Sequence, residues 1–149
     1  MQKMFENVSD AEQCRMEIKM KTGTVDHIGI NTIDLEKSKR FYEEVMHFPY
    51  AGEAQLGDDF VTYMKVDENC AIELFLTDGS LLTHEVSEEY AGVKHIAFSV
   101  DSVDEWHEHL VKHGCRITLE PTDLEPIRKR VLLFEAPDHV IIELSQNMI

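Results

Sequence analysis

Hydrophobic and polar positions follow the same order twice along the chain. The first copy opens with the short apolar segment 25–30, and from 35 to 46 its apolar residues recur three and four positions apart, which is typical of an amphipathic helix. Alternating segments typical of strands follow at 50–56, 60–66 and 71–76. The first copy is therefore predicted to be a strand, a helix and three further strands.

The second half of the chain restarts this pattern. Segment 93–100 is again strand-like, and Ser102 with Glu105 forms a capping box that opens a helix. Gly114 stands where a helix C-terminal glycine is expected. The later strands are predicted near 116–119, 130–134 and 140–144. A repeat of about 70 residues is a property of the fold, so two equivalent modules are expected.

The domain organisation follows from this repeat. We predict an α+β fold with one domain over residues 24–146, built from two tandem βαβββ modules. The first module covers 24–77 and the second 92–146, joined by the polar connector 78–91. An N-terminal arm, 1–23, lies outside the repeat.

Composition narrows the class of protein and its partners. The 149 residues are 43% hydrophobic and 29% charged, as in a globular protein. The formal net charge of −15 disfavours nucleic acid and anionic membranes, and the apolar runs are too short to span a bilayer. Three widely spaced cysteines form no disulfide framework. We therefore expect a cytoplasmic protein that acts on a small molecule.

Four ionisable residues interrupt the apolar strands at equivalent places. His27 and Glu73 lie in the first copy, and His95 and Glu143 lie in the second. Side chains alternate across a strand, so each falls on the less apolar face, beside small neighbours such as Gly29. This pattern is typical of a lined cavity, although each residue taken alone could be a structural residue at the end of a strand.

A divalent cation accounts for the four residues together. A buried carboxylate without a partner is costly, whereas two neutral imidazoles and two carboxylates around a +2 ion are neutral overall. The mixed nitrogen and oxygen donors suit Zn, Ni, Co, Mn or Fe(II). Four protein ligands leave two octahedral positions open for water or substrate oxygens.

These segments resemble the vicinal oxygen chelate superfamily, which includes glyoxalase I, methylmalonyl-CoA epimerase, extradiol dioxygenases and bleomycin-binding proteins. The resemblance covers about residues 24–146. The segments that carry it are 25–30, 41–42, 72–74, 93–98 and 136–144. It implies that the sheets of the two modules form a cupped mixed β-sheet around one metal, in a protein that often dimerises.

The full set of four ligands resembles the glyoxalase I arrangement, which implies a metal-dependent lyase or isomerase that uses Zn, Ni or Co, with Mn or Fe as alternatives. In that reaction the metal stabilises an enediolate while a glutamate moves the proton next to a bound carbonyl. Glu143 resembles the glyoxalase I base, and Glu73 is the second candidate for this catalytic role.

Several positions depart from the glutathione-dependent glyoxalase I pattern. Asn31 stands where an arginine is usual, Thr77 replaces an asparagine, and 125–130 replaces a glycine-rich loop. The segment 92–101 resembles methylmalonyl-CoA epimerase more closely. An epimerase of that type, and a metal-free binding protein of the bleomycin-resistance type, therefore remain alternatives.

Candidate substrate-binding residues complete the predicted site. Asn31 shares a strand face with His27. Arg128 and Arg130, two residues apart in the one dense basic patch, are predicted to hold a substrate carboxylate or phosphate. The alternative for both arginines is a solvated position on the rim.

Overall fold

The computed structural model describes residues 23–79 and 92–149. The predicted N-terminal arm, 1–23, and the connector, 78–91, lie almost wholly outside these ranges. Both assignments therefore stay predictions.

Each module forms its own four-stranded sheet. In the first, β1 runs parallel to β4, and β4, β3 and β2 are antiparallel neighbours in that order. The elements of the first module are β1 (His27–Thr32), α1 (Leu35–Arg40), a π-helical turn (Phe41–Val45), β2 (Tyr50–Leu56), β3 (Asp59–Lys65) and β4 (Ala71–Leu76).

The second module repeats this topology. Its strand order is β5-β8-β7-β6, and β5 is again parallel to its neighbour. The elements are β5 (Ile96–Ser99), α2 (Val103–Lys112), β6 (Arg116–Leu124), β7 (Lys129–Glu135) and β8 (Ile141–Asn147), with 3₁₀ turns at Glu125–Ile127 and Pro137–His139. The predicted α+β fold with two βαβββ modules is confirmed.

Local sequence signals explain where the helices begin and end. The Asp34 side chain accepts a hydrogen bond from the Lys37 N–H, and the Ser102 side chain accepts one from the Glu105 N–H. Each bond satisfies one of the free amides of a first helical turn. Gly114 has φ +70°, the left-handed conformation that ends α2 at low cost.

One apolar core joins the two modules. Leu74 of β4 and Leu144 of β8 are both fully buried and belong to the same cluster, together with Tyr42 and Leu110 from the helical segments. Burying such a side chain contributes about 1.5–3 kcal/mol, and truncating Leu144 to Ala would cost about 2–5 kcal/mol. Each sheet therefore turns one face to the shared core, and the opposite face, here called the open face, carries the partly exposed side chains of Glu73 or Glu143.

A tight turn before β8 links the modules through polar contacts. The Asp138 carboxylate accepts hydrogen bonds from the Ile33 N–H, at 3.2 Å, and from the Ser38 hydroxyl, at 3.4 Å. His109 of α2 also lies 2.9 Å from the Val45 carbonyl, which accepts a hydrogen bond from its Nε2. These contacts add directional bonds to the apolar contact between the modules.

Candidate functional site

The predicted ligands of the first module form a pair on the open face of their sheet. Gly29 and Glu73 are direct neighbours on β1 and β4, and His27 Nε2 lies 3.6 Å from a Glu73 oxygen. The His27 side chain is 48% exposed and that of Glu73 is 14% exposed. The pair is thus reachable from solvent, with the carboxylate held deeper than the imidazole.

Asp26 orients the His27 ring. His27 Nδ1 donates to the Asp26 carboxylate at 2.9 Å, so the neutral ring turns the lone pair of Nε2 toward Glu73. Two electron-pair donors then face the same space, which only a proton or a cation can occupy favourably. The hydrogen bond to Asp26, followed by the charge of Glu73, raises the pKa of His27. The arrangement fits a metal ion by its donor set.

The second module contains an equivalent pair. Ala97 is the direct neighbour of Glu143, and His95 Nε2, just before β5, lies 3.4 Å from a Glu143 oxygen. Side-chain exposure is 29% for His95 and 18% for Glu143. His95 Nδ1 is buried with no hydrogen-bond partner among the described residues, so no structural hydrogen bond explains this histidine beyond its contact with Glu143.

The chain brings together the members of each pair but does not gather all four residues. Within residues 23–79 and 92–149, no group of three or more His, Cys, Asp or Glu side chains is placed to hold a metal ion. One chain therefore presents two half-sites, which are the His27–Glu73 pair and the His95–Glu143 pair. The four-ligand site stays a prediction.

Small residues stand beside the donors in both sheets. A Cβ atom at Gly29 would lie 3.5 Å from the Phe75 ring, in ordinary van der Waals contact. The corresponding position of the second sheet is Ala97, which is exposed. The direct strand neighbours of Glu73 and Glu143 therefore carry no long side chain.

The predicted substrate-binding residues fall in different places. Asn31 lies on the open face of the first sheet, four residues after His27, and it is exposed. Arg128 is exposed in the turn between β6 and β7, where its φ of 52° is left-handed. The substrate-binding roles of both residues stay predictions.

Arg130 lies on the opposite side of its sheet from Glu143. It shares the face of β7 that buries Leu132, and its guanidinium lies 2.7 Å from both Asp104 and Asp123. The hydrogen bond from Arg130 lowers the pKa of the Asp104 carboxyl. The guanidinium is thus held by two carboxylates on the face opposite Glu143, and the predicted role of Arg130 in substrate binding stays a prediction.

The structure shows a polar cluster on the open face of the second sheet that the sequence did not lead us to predict. Glu135 accepts hydrogen bonds from Arg116 Nη1, at 2.7 Å, and from His139 Nδ1. Burial alone would raise the pKa of Glu135, but the hydrogen bonds from His139 and Arg116 outweigh burial and hold the pKa below its usual 4.5. Alternation along β7 places Glu135 on the face of Glu143, a signal that the sequence did contain.

Comparisons with known proteins agree with this architecture. The family model described as the glyoxalase/bleomycin resistance protein/dioxygenase superfamily matches residues 24–144. The uncharacterized protein YwkD of Bacillus subtilis (strain 168) is 31% identical over 127 residues, covering 83% of this chain and 97% of that protein. A probable trivalent organoarsenical cleaving enzyme of the same organism is 34% identical over 96 residues, covering 63% of this chain and 54% of that protein.

Solved structures share the fold. The trypanothione-dependent glyoxalase I of Leishmania major superposes with a TM-score of 0.66 at 22% identity, over 84% of this chain and 87% of that one. In the part of the chain that the structure describes, no helix is long and apolar enough to cross a membrane. With two βαβββ modules and a family match over most of its length, the chain belongs to the glyoxalase/bleomycin resistance protein/dioxygenase superfamily, also called the vicinal oxygen chelate superfamily.

Proposed function

We propose that this protein is a divalent-metal-dependent lyase or isomerase of the glyoxalase I type, acting on a small α-oxygenated carbonyl compound. The observation that carries the proposal is the pair of equivalent half-sites, in which Nε2 of His27 or His95 lies 3.6 or 3.4 Å from a glutamate oxygen. Members of this superfamily commonly bind a divalent metal. The donor set, two imidazoles and two carboxylates, suits Zn, Ni or Co.

The half-sites imply that a second copy of the chain completes each metal site. Among the described residues, strands β1 and β5 are edge strands, each hydrogen-bonded to one neighbouring strand. Exposed valines stand just before both strands, with Val25 61% and Val93 88% exposed. An open edge with apolar flanks favours pairing with another strand. In a homodimer with twofold symmetry, the His27–Glu73 pair of one copy would meet the His95–Glu143 pair of its partner, giving two sites.

Each residue of the site has a distinct task in the proposed reaction. A bound metal supplies a Lewis acid that polarises the substrate carbonyl and stabilises the negative charge that develops beside it. His27, oriented by Asp26, and His95 act as neutral nitrogen donors. Glu143 accepts the proton from the carbon next to the carbonyl and returns it to the neighbouring carbon. The Asn31 amide donates a hydrogen bond to a substrate oxygen.

Metal analysis and two activity assays test this proposal. Protein reconstituted with Zn, Ni or Co is expected to hold one metal per chain and to isomerise the hemithioacetal of methylglyoxal with a thiol. The Glu143→Gln variant should lose at least about a hundredfold in kcat, because the carboxylate that moves the proton is gone. Arg40→Gln, an exposed residue of α1, is the matched control and should retain activity.

Each negative result of these assays would indicate a different function. Proton exchange in methylmalonyl-CoA, without hemithioacetal isomerisation, would replace the proposal with an epimerase. Absence of stoichiometric metal after reconstitution would overturn the enzymatic proposal and favour small-molecule binding.

A further inference from the structure

A second polar cluster shares the open face of the second sheet with the His95–Glu143 half-site. It consists of Arg116 on β6, Glu135 on β7 and His139 in the turn before β8, and we refer to it as the rim cluster. Glu135 holds both basic side chains, with Arg116 Nη1 at 2.7 Å from one oxygen and His139 Nδ1 bonded to the other.

The register of the strands fixes the position of the rim cluster relative to the half-site. Leu133 is the direct neighbour of Glu143, and Glu135 is the direct neighbour of Ile141. Glu135 and Glu143 are therefore diagonal neighbours on one face, about 7–8 Å apart. Arg116 is one strand further, on the edge strand β6. The apolar side chains of Leu133 and Ile141 lie between the half-site and the rim.

The rim cluster turns its basic groups outward and its acid inward. Side-chain exposure is 77% for Arg116, 59% for His139 and 14% for Glu135. Because Glu135 accepts from Nδ1 of His139 and from one guanidinium nitrogen of Arg116, the imidazole Nε2 and the remaining guanidinium N–H groups have no hydrogen-bond partner among the described residues. These groups are therefore available to an anionic ligand.

The backbone that carries His139 is strained. His139 and Asp138 have φ of 62° and 60°, consecutive left-handed residues where glycine would be favoured. The Asp138 side chain explains its own conformation by bonding to Ile33 and Ser38. For His139, the contact with Glu135 is the one side-chain hydrogen bond among the described residues, and it does not explain why a histidine occupies a left-handed position. Backbone strain of this kind is concentrated at ligand sites.

We propose that Arg116 and His139, held in place by Glu135, form an anion subsite that binds the far end of the substrate. The inference rests on the proposed function, because it takes the chelating end of the substrate to lie at the half-site. The substrate is then an elongated molecule with adjacent oxygens at one end, a short apolar middle over Leu133 and Ile141, and a carboxylate or phosphate about 7–10 Å away.

Charge supports this assignment. The chain carries a formal net charge of −15, so an anionic substrate needs a local basic group to offset the repulsion. Arg130, which also belongs to this sheet, is held by two aspartates on the opposite face. Among the described residues, Arg116 has one carboxylate partner, Glu135, which it shares with His139, and it is 77% exposed, so its guanidinium can offer a positive charge to a ligand.

A titration of the metal-free protein tests the subsite independently of any activity. Inorganic phosphate is added to ¹⁵N-labelled protein, and amide shifts are followed at positions 116, 135 and 139. Saturable shifts are expected for wild type and for the Arg40→Gln control, but not for Arg116→Gln or His139→Gly. Glycine suits the left-handed φ at 139, so the second variant should fold even though it lacks the imidazole. Equal shifts in wild type and both variants, or none in wild type, would overturn the subsite.

A matched pair of ligands tests the link to the half-site. We expect the metal-loaded protein to bind 2-oxoadipate at least about fivefold more tightly than 2-oxohexanoate, which lacks the second carboxylate. In Arg116→Gln this preference should fall to about one, with the affinity for 2-oxohexanoate unchanged. An unchanged preference in Arg116→Gln refutes the subsite. If the protein takes up no metal, the proposed function fails, and the phosphate titration still decides whether the rim cluster binds anions.

Discussion

Two inactive variants are expected to restore activity when they are mixed. The first variant, His27→Ala/Glu73→Gln, removes the half-site of the first module, and the second, His95→Ala/Glu143→Gln, removes that of the second module. Each variant alone lacks half of every metal site. If sites form between copies, a mixed dimer contains one site in which both half-sites are intact.

The size of the effect follows from twofold symmetry. Random mixing of equal amounts makes about half of all dimers mixed, and each mixed dimer has one intact site out of two. The mixture should therefore bind metal and turn over substrate at about a quarter of the wild-type level. If the four ligands instead came from a single chain, every chain in the mixture would stay defective and nothing would be recovered.

The assay requires subunit exchange. The two variants are unfolded together in denaturant, refolded, loaded with Zn or Ni, and measured for bound metal and for hemithioacetal isomerisation. The control mixes the first variant with a different variant of the same half-site, and it should recover nothing. Metal and activity at the background of the single variants, in a mixture shown to contain mixed dimers, would refute assembly of the site between copies.

Three further predictions concern the fold and the rim cluster. Tyr42 is 1% exposed, and its hydroxyl has no hydrogen-bond partner among the described residues. Tyr42→Phe should therefore leave the free energy of unfolding, measured by urea titration, unchanged or raise it by about 1 kcal/mol. A decrease of more than about 1 kcal/mol would contradict this prediction. Glu135 has its pKa held below 4.5 in the folded state, so its stabilising contribution is present above that pH and is lost as the pH falls through the folded pKa. The unfolding free energy of Glu135→Gln should therefore fall less than that of wild type on acidification below pH 4.5, and parallel curves would count against it. Gly114→Ala should cost about 1 kcal/mol because φ is +70° there, whereas Gly23→Ala, in open space, should be neutral by thermal unfolding.

Many strand and helix boundaries could be predicted from the sequence, because they depend on local signals. The alternation of apolar residues marks β1, β4 and β8, and Ser102 and Gly114 mark helix ends that the structure confirms. The repeat of the pattern then gave the module architecture. These features are set by residues within a few positions of one another, so they need no knowledge of long-range contacts.

The way in which the four residues assemble into a site could not be predicted from such local signals. Alternation assigns His27, Glu73, His95 and Glu143 to strand faces, but it does not say whether the two faces meet within one chain. The orientation of Arg130 could in principle be predicted from the sequence, because alternation along β7 places it on the same face as Leu132 and on the opposite face from Leu133. Its ion pairs with Asp104 and Asp123 join β7 to α2 and β6, which a local pattern does not contain.

Dimer formation and metal binding are expected to be one event in this architecture, because the same strands serve both. Strand β1 carries His27 and β5 begins directly after His95, and in the described part of the chain each of these strands has one edge without a neighbouring strand. Whatever pairs with those edges also comes to lie beside the half-sites. Among the described residues, the largely buried Glu73 and Glu143 each have one imidazole as ion-pair partner, and a cation shared across the interface would offset the cost of burying their carboxyl groups. A ligand that binds the assembled state alone stabilises that state, so metal affinity and dimer affinity must rise and fall together.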